Sequence, residues 1–233
     1  MTDLMLRQHP VKRAPLVALQ AEAAVESARY ALLRRLAPAL RHNMAGALQP
    51  VSMIAAMLEK RLLAPVPDLA AIAKNTGAIS TLSREAAAAC MDLMTWLAPK
   101  ENALVAVGTG VADSVSLLVT DLSFRGFSVR NELGDMPGLV LCSALRNVFM
   151  AGLVALTDAA TAPADVVLTA HIDAEDMVLA ISLIATGGEV MSIGNSPAYR
   201  NLRWPDVQAL ADAESVGLSY SASRVELRFR AGR

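Results

Sequence analysis

The residues best suited to chemistry lie in the stretch Leu40-Arg41-His42-Asn43-Met44-Ala45-Gly46-Ala47-Leu48-Gln49-Pro50. Around it, Leu40, Met44, Ala47, Val51, Ile54 and Leu58 recur with spacings of four, three, four, three and four. That is the a/d seam of a helix packed against other helices. On this frame His42 falls at position f and faces away from the seam. An imidazole turned to water, with Arg41 beside it and Arg35 one heptad earlier, is a group kept accessible. Its neutral ring nitrogen is a nucleophile. The plain alternative is an exposed helix residue with no chemistry.

The other histidines compete poorly. His9 lies in a charged, proline-interrupted start and reads as an arm residue. His171 sits in the alternation Val167, Thr169, His171, Asp173, on the more polar face of a strand, and reads as a solvated sheet residue. Cys90 and Cys142 are far apart among apolar neighbours. They have neither metal spacing nor a disulfide-framework pattern, so they read as buried free thiols in a reducing compartment.

What must position His42 follows from the rest of the chain. Its 233 residues suffice for one large domain or two small ones, and a composition 54% hydrophobic with 4% aromatics builds its core from aliphatic helices. A net charge of −1 offers no bulk attraction to nucleic acid or anionic lipid. No stretch reaches the roughly 18 apolar residues of a membrane span. The start lacks an apolar region with a cleavage site, and the expectation is a cytoplasmic protein without membrane insertion.

Residues 1–15 are expected to form a flexible arm. Helical periodicity runs from Leu16 to about Leu63, interrupted by Pro38 and Pro50, which predicts one kinked helix or two abutting ones. Ala64-Pro65-Val66-Pro67-Asp68 is a turn whose Asp68 can cap a second helix, about Leu69 to Leu97. A helical hairpin of this kind buries one side of each helix. It calls for another hairpin, most simply from a second copy in a four-helix bundle.

After the linker Pro99-Lys100-Glu101-Asn102 the pattern changes. Strands are predicted at Ala103–Val107, Phe127–Leu133, Val166–Ile172 and Met177–Ile184, with a closing hairpin of Leu218–Ser221 and Val225–Arg230. Helices are predicted at about Val111–Leu122, Leu139–Ala159 and Pro205–Ala213. The fold class is α+β: a helical hairpin over residues 16–99, then an α/β sandwich over 103–233 with helices on one sheet face.

A helical hairpin with an exposed histidine in its first helix, followed by an α/β domain, resembles the dimerisation and phosphotransfer region of sensor histidine kinases plus their ATP-binding domain. The resemblance covers about residues 25–230. Leu40-Arg41-His42-Asn43-x-x-Gly46-x-Leu48-x-Pro50 is similar to a phosphoacceptor box reading His-Asp-Phe-Asn-Asn-x-Leu, with His42 and Leu48 as the identities. Asn43 stands where kinases place Asp or Glu and cannot serve as a base. Gly46 stands where many have the Thr or Asn used to dephosphorylate a partner.

Leu145-Arg146-Asn147-Val148-Phe149-Met150-Ala151-Gly152-Leu153 resembles the asparagine box, with Asn147 as its first asparagine. Ala151 replaces the second, which holds Mg²⁺, and a methyl group cannot ligate a hard cation. Ile184-Ala185-Thr186-Gly187-Gly188 lacks the adenine-reading aspartate, and Gly187-Gly188 reads as a turn. Between Gly188 and Arg203 there is no second glycine-rich stretch suited to a phosphate lid.

The resemblance therefore implies a kept fold and a lost ATP site. The expectation is a dimeric histidine phosphotransferase that relays a phosphoryl group between response-regulator receiver domains through His42. It carries no cofactor of its own, and any Mg²⁺ is supplied by the receiver. Arg41, Asn43 and Gly46, with Arg34 and Arg35, would dock the partner: the arginines by offsetting charge, Gly46 by leaving room. The alternatives are a non-catalytic dimeric adaptor or regulator, and a divergent ATP-dependent histidine kinase.

Overall fold

The computed structural model describes residues 16–97, 102–187 and 200–230. The expected arm (1–15), most of the Pro99–Asn102 linker and most of the stretch after Gly187 lie outside the described residues.

Helix α1 is a single helix, Leu16–Leu62, that carries both Pro38 and Pro50 in its interior. Of the two readings left open by the sequence, one long helix is the outcome. Each proline deletes one backbone hydrogen bond at a cost of about 3 kcal/mol, and side-chain packing along the helix outweighs both losses. The turn after it ends at Asp68, whose carboxylate accepts the Ala71 N–H at 3.0 Å. This caps α2 (Leu69–Leu97) as expected. Every a/d residue named above is half-buried, in keeping with a hairpin that covers one side of each helix.

The remainder folds as β1 (Leu104–Ala106), α3 (Val107–Phe124), β2 (Phe127–Asn131), β3 (Leu139–Leu141), α4 (Cys142–Ala144), a π-helical turn (Leu145–Phe149), α5 (Met150–Ala159), β4 (Ala164–Asp173), β5 (Asp176–Ala185), α6 (Trp204–Ala213), β6 (Gly217–Tyr220) and β7 (Arg224–Phe229). The sheet order is β2-β4-β5-β7-β6, with β2 parallel to β4 and the other neighbours antiparallel. The α+β class read from the sequence is the one observed.

One expected element divides differently. Leu139–Leu141 is not the start of a helix but a strand paired antiparallel with β1, and the helix begins only at Cys142. The apolar run Leu139-Val140-Leu141 fits either period over three residues, so only the pairing decides it.

Strand alternation sets the layers. Val166, Leu168, Leu179, Ile181, Val225 and Leu227 point into one core with Leu118, Leu122, Leu153 and Leu210 of the helices. The opposite sheet face carries Asp165, Thr169, His171, Arg224, Glu226 and Arg228, and His171 is exposed there as expected. Trp204 stacks on Tyr220 with ring centroids 4.1 Å apart, fixing the start of α6 to the edge strand β6.

The core also includes part of the first helix. Ala28, Ala31, Leu32 and Leu36 of α1 are buried in the α/β core. The first half of α1 is thus a packed helix of the α/β domain, while its second half forms the hairpin.

Candidate functional site

His42 lies on α1 just beyond the segment buried against the α/β domain, and it is exposed. Arg41, Asn43 and Gly46 are exposed around it. Gly46 is one turn from His42, and a methyl group built there meets nothing within 4 Å. The surface beside the imidazole is open on that side.

Asn43 has a second neighbourhood. With Leu40 and Met44 of α1 and Ala89 of α2, it lines one wall of a crevice of about 330 Å³ between the hairpin and the α/β domain. Asp113, Ser116, Leu117, Cys142 and Arg146 are among the residues of the other wall. Ser114, also at the wall, is occupied by its own helix, donating to the Gly110 carbonyl at 2.7 Å. Gly110 lets that wall close: a Cβ there would meet Leu145 Cδ1 at 2.5 Å and Val105 Cγ1 at 3.0 Å. Sequence reasoning found Asn43 but missed this far wall. Its residues come from four separate elements and carry no shared spacing.

The arginines expected to dock a partner behave differently from one another. Arg34 is exposed, donates to the Tyr30 hydroxyl at 3.3 Å and lies over the Tyr30 ring. Arg35 must be corrected. Position f of the hairpin predicts a solvent-facing guanidinium, but at this point α1 faces the α/β domain. Arg35 Nη2 donates to Asp121 Oδ2 at 3.1 Å and to Asp158 Oδ1 at 3.3 Å. Arg125 completes the cluster, with Nη2 2.8 Å from Asp158 Oδ1. Burial alone would lower the Arg35 pKa, but the Asp158 and Asp121 carboxylates outweigh it and hold the guanidinium above its ordinary value.

Two further polar joints precede it on the same helix. Arg200 Nη2 donates to Ser27 Oγ at 3.1 Å while also pairing with Asp206. Arg29 Nη2 lies 3.8 Å from Glu214 Oε1.

Glu214 also binds Asn147. Asn147 Nδ2 donates to Glu214 Oε1 at 2.6 Å, and Ser143 Oγ donates to Glu214 Oε2 at 2.7 Å. Asn147 sits in the π-helical turn, a distortion that re-aims side chains. Ala151 is fully buried in the core, and Ala185 is exposed at the end of β5. Gly187 has φ +73°, a left-handed conformation that favours glycine, and Gly188, the second residue of the expected turn, lies outside the described residues. Cys90 and Cys142 are free and half-buried.

Among the described residues, no group of three or more His, Cys, Asp or Glu could hold a metal ion. No helix there is long and apolar enough to cross a membrane.

No family model and no curated protein matches the sequence. Solved structures do align with the chain. A histidine kinase of Acinetobacter baumannii is 12% identical at a TM-score of 0.45, covering 81% of this chain and 98% of that one. A histidine kinase from Burkholderia phymatum is 15% identical at a TM-score of 0.41, covering 84% and 97%. A bacterial phosphotransferase is 13% identical at a TM-score of 0.37, covering 93% and 98%.

Proposed function

We propose that this chain is a dimeric histidine phosphotransferase of two-component signalling, in which His42 relays a phosphoryl group between receiver domains without a nucleotide of its own. The observation that carries the reading is the presentation of His42: exposed on a long helix, with open space one turn away at Gly46 and a crevice beginning at the adjacent Asn43.

In this reading a ring nitrogen of His42 attacks the phosphorus of a receiver's aspartyl phosphate. The N–P bond forms as the P–O bond to the aspartyl carboxylate breaks, and the carboxylate keeps the electron pair. The phosphoimidazolium then releases its remaining N–H proton to solvent. Transfer to a second receiver runs the same bonds in reverse. Mg²⁺ and the acidic pocket that holds it belong to the receiver. Arg41 lies beside the nucleophile, where a guanidinium offsets phosphoryl charge.

Self-supply from ATP is disfavoured by the groups that the resemblance would assign to it. Asn147 is held by Glu214, an anion where a nucleotide's phosphates need cations. Ala151 offers no oxygen and lies in the core.

Dimerisation is supported by apolar surface on the hairpin. Met53 and Met57 of α1, Leu69 at the start of α2, and Met91 and Met94 near its end are all exposed. A hairpin that leaves such surface uncovered is completed by a second copy in a four-helix bundle.

The test incubates the chain with receivers carrying labelled aspartyl phosphate, then adds an unlabelled second receiver. The reading expects label to pass to the chain and onward, and His42→Gln to stop both steps. Transfer that survives His42→Gln overturns the role of His42, and no transfer with any receiver overturns the reading and favours the adaptor. Incorporation from ATP by the chain alone favours a divergent kinase.

A further inference from the structure

We infer that Arg35 is a positioning residue: its ion-pair joint with Asp121 and Asp158 fastens α1 to the α/β domain, so that the hairpin and that domain move as one body and the crevice wall keeps a fixed place beside His42. The inference deepens the phosphotransfer reading and rests on it for the consequence to transfer, though not for the joint itself.

The geometry supporting it runs along one helix. From Ser27 to Arg35, α1 makes three polar attachments to the α/β domain, at Ser27 to Arg200, at Arg29 to Glu214 and at Arg35 to Asp121 and Asp158. Between and just beyond them Ala28, Ala31, Leu32 and Leu36 are buried in the same core. His42 follows Arg35 by seven residues, two turns or about 10 Å of the same helix, with Pro38 between them. A swing of the α/β domain away from α1 would break the three attachments and expose four apolar side chains together.

The joint itself resists partial opening. Asp158 is 11% exposed at its side chain, and Oδ1 receives both Arg35 and Arg125 while Oδ2 is buried without a hydrogen bond. Withdrawing Arg35 leaves a mostly buried carboxylate with one cation in place of two, an outcome that favours the closed arrangement. A docking receiver would therefore meet a composite surface already assembled: the exposed Arg41 of the helix beside the crevice lined by Asn43, Asp113, Ser116 and Arg146.

The experiment compares full-length wild type, Arg35→Gln and Arg35→Lys by amide hydrogen exchange and by the kinetics of label transfer from a phosphorylated receiver. Arg35→Gln is expected to speed exchange over residues 25–40 without changing the sheet. It should weaken transfer about tenfold through KM at nearly constant kcat, since the nucleophile is intact and only its docking surface is displaced. Arg35→Lys, which keeps a cation at the joint, should recover most of both. Arg200→Gln opens the more exposed joint and carries the same test if Arg35→Gln does not fold. Unchanged exchange overturns the joint. Faster exchange with unchanged transfer overturns the positioning role. A wild type that accepts no label contradicts the phosphotransfer reading, and the exchange data still decide the joint.

Discussion

Arg35 on α1 donates to Asp158 on α5 at 3.3 Å, across 123 residues of sequence. The pair joins the helix that carries the candidate nucleophile to the last turn of the central helix of the α/β domain. Both side chains are largely buried, at 13% and 11% exposure. Burial at that level separates this pair from the surface ion pairs Arg224–Glu226 and Arg228–Asp173, each 40% exposed or more on both sides.

Its energetic signature should follow. Arg35→Met is expected to cost about 2 kcal/mol in urea unfolding, because it removes one of the two cations that compensate the mostly buried Asp158 and leaves Arg125 alone with it. The double variant Arg35→Met with Asp158→Leu should lose less than the sum of the two single losses, since each single variant already breaks the Arg35–Asp158 pair. Additive losses would show that the two residues do not interact.

Two helical glycines give opposite outcomes under one substitution. Gly46→Ala adds a methyl into open space and removes backbone freedom in the middle of α1, so stability should rise by about 0.5–1 kcal/mol. Gly110→Ala drives a Cβ to 2.5 Å from Leu145 Cδ1 and should lose stability by about 1–3 kcal/mol. Thermal unfolding of the two variants measures both. A bulky Gly46→Trp should leave stability near that of Gly46→Ala yet slow phosphoryl transfer to His42.

Acid should loosen the α1–α6 attachment through Asp206. Partial burial acts to raise its pKa, but the Arg200 guanidinium and the Arg203 backbone N–H hold it below the ordinary carboxylate value. A carboxyl depressed on folding stabilises above its unfolded pKa of about 3.9 and loses that contribution as pH falls through the folded value. Urea midpoints should therefore fall below pH 4, and Asp206→Asn should flatten that part of the profile while lowering stability at pH 7.

Glu214 gathers Ser143, Asn147 and Arg29 onto one carboxylate. Glu214→Ala leaves the Asn147 amide and the Ser143 hydroxyl without that acceptor and should cost about 2 kcal/mol by urea unfolding. Glu214→Gln keeps the shape and one acceptor oxygen and should cost less. Equal losses would mean that charge is what the site needs.

Sequence periodicity reached the hairpin because its signals are local. The seam from Leu40 to Leu58, the turn at Pro65 and Pro67 and the Asp68 cap each lie within a few residues of the partners that define them. The exposure of His42 was legible for the same reason. The role of Arg35 was not. Its heptad position describes a hairpin surface, while the structure lays the α/β domain against that part of α1, and its partners Asp121 and Asp158 carry no spacing that ties them to it. Asn147 was noticed as a motif residue, but its bond to Glu214 depends on packing α6 against the π-helical turn, which only tertiary structure fixes. Leu139–Leu141 failed on length, since three apolar residues do not distinguish a strand from a helical turn.

The most direct test of the central claim is the site of label after the chain is mixed with a phosphorylated receiver in the absence of nucleotide. Peptide mapping should place an acid-labile phosphoryl group on His42, with none on the chain in the His42→Gln variant. Label on another residue, or no label with any receiver while ATP alone phosphorylates the chain, would contradict the account.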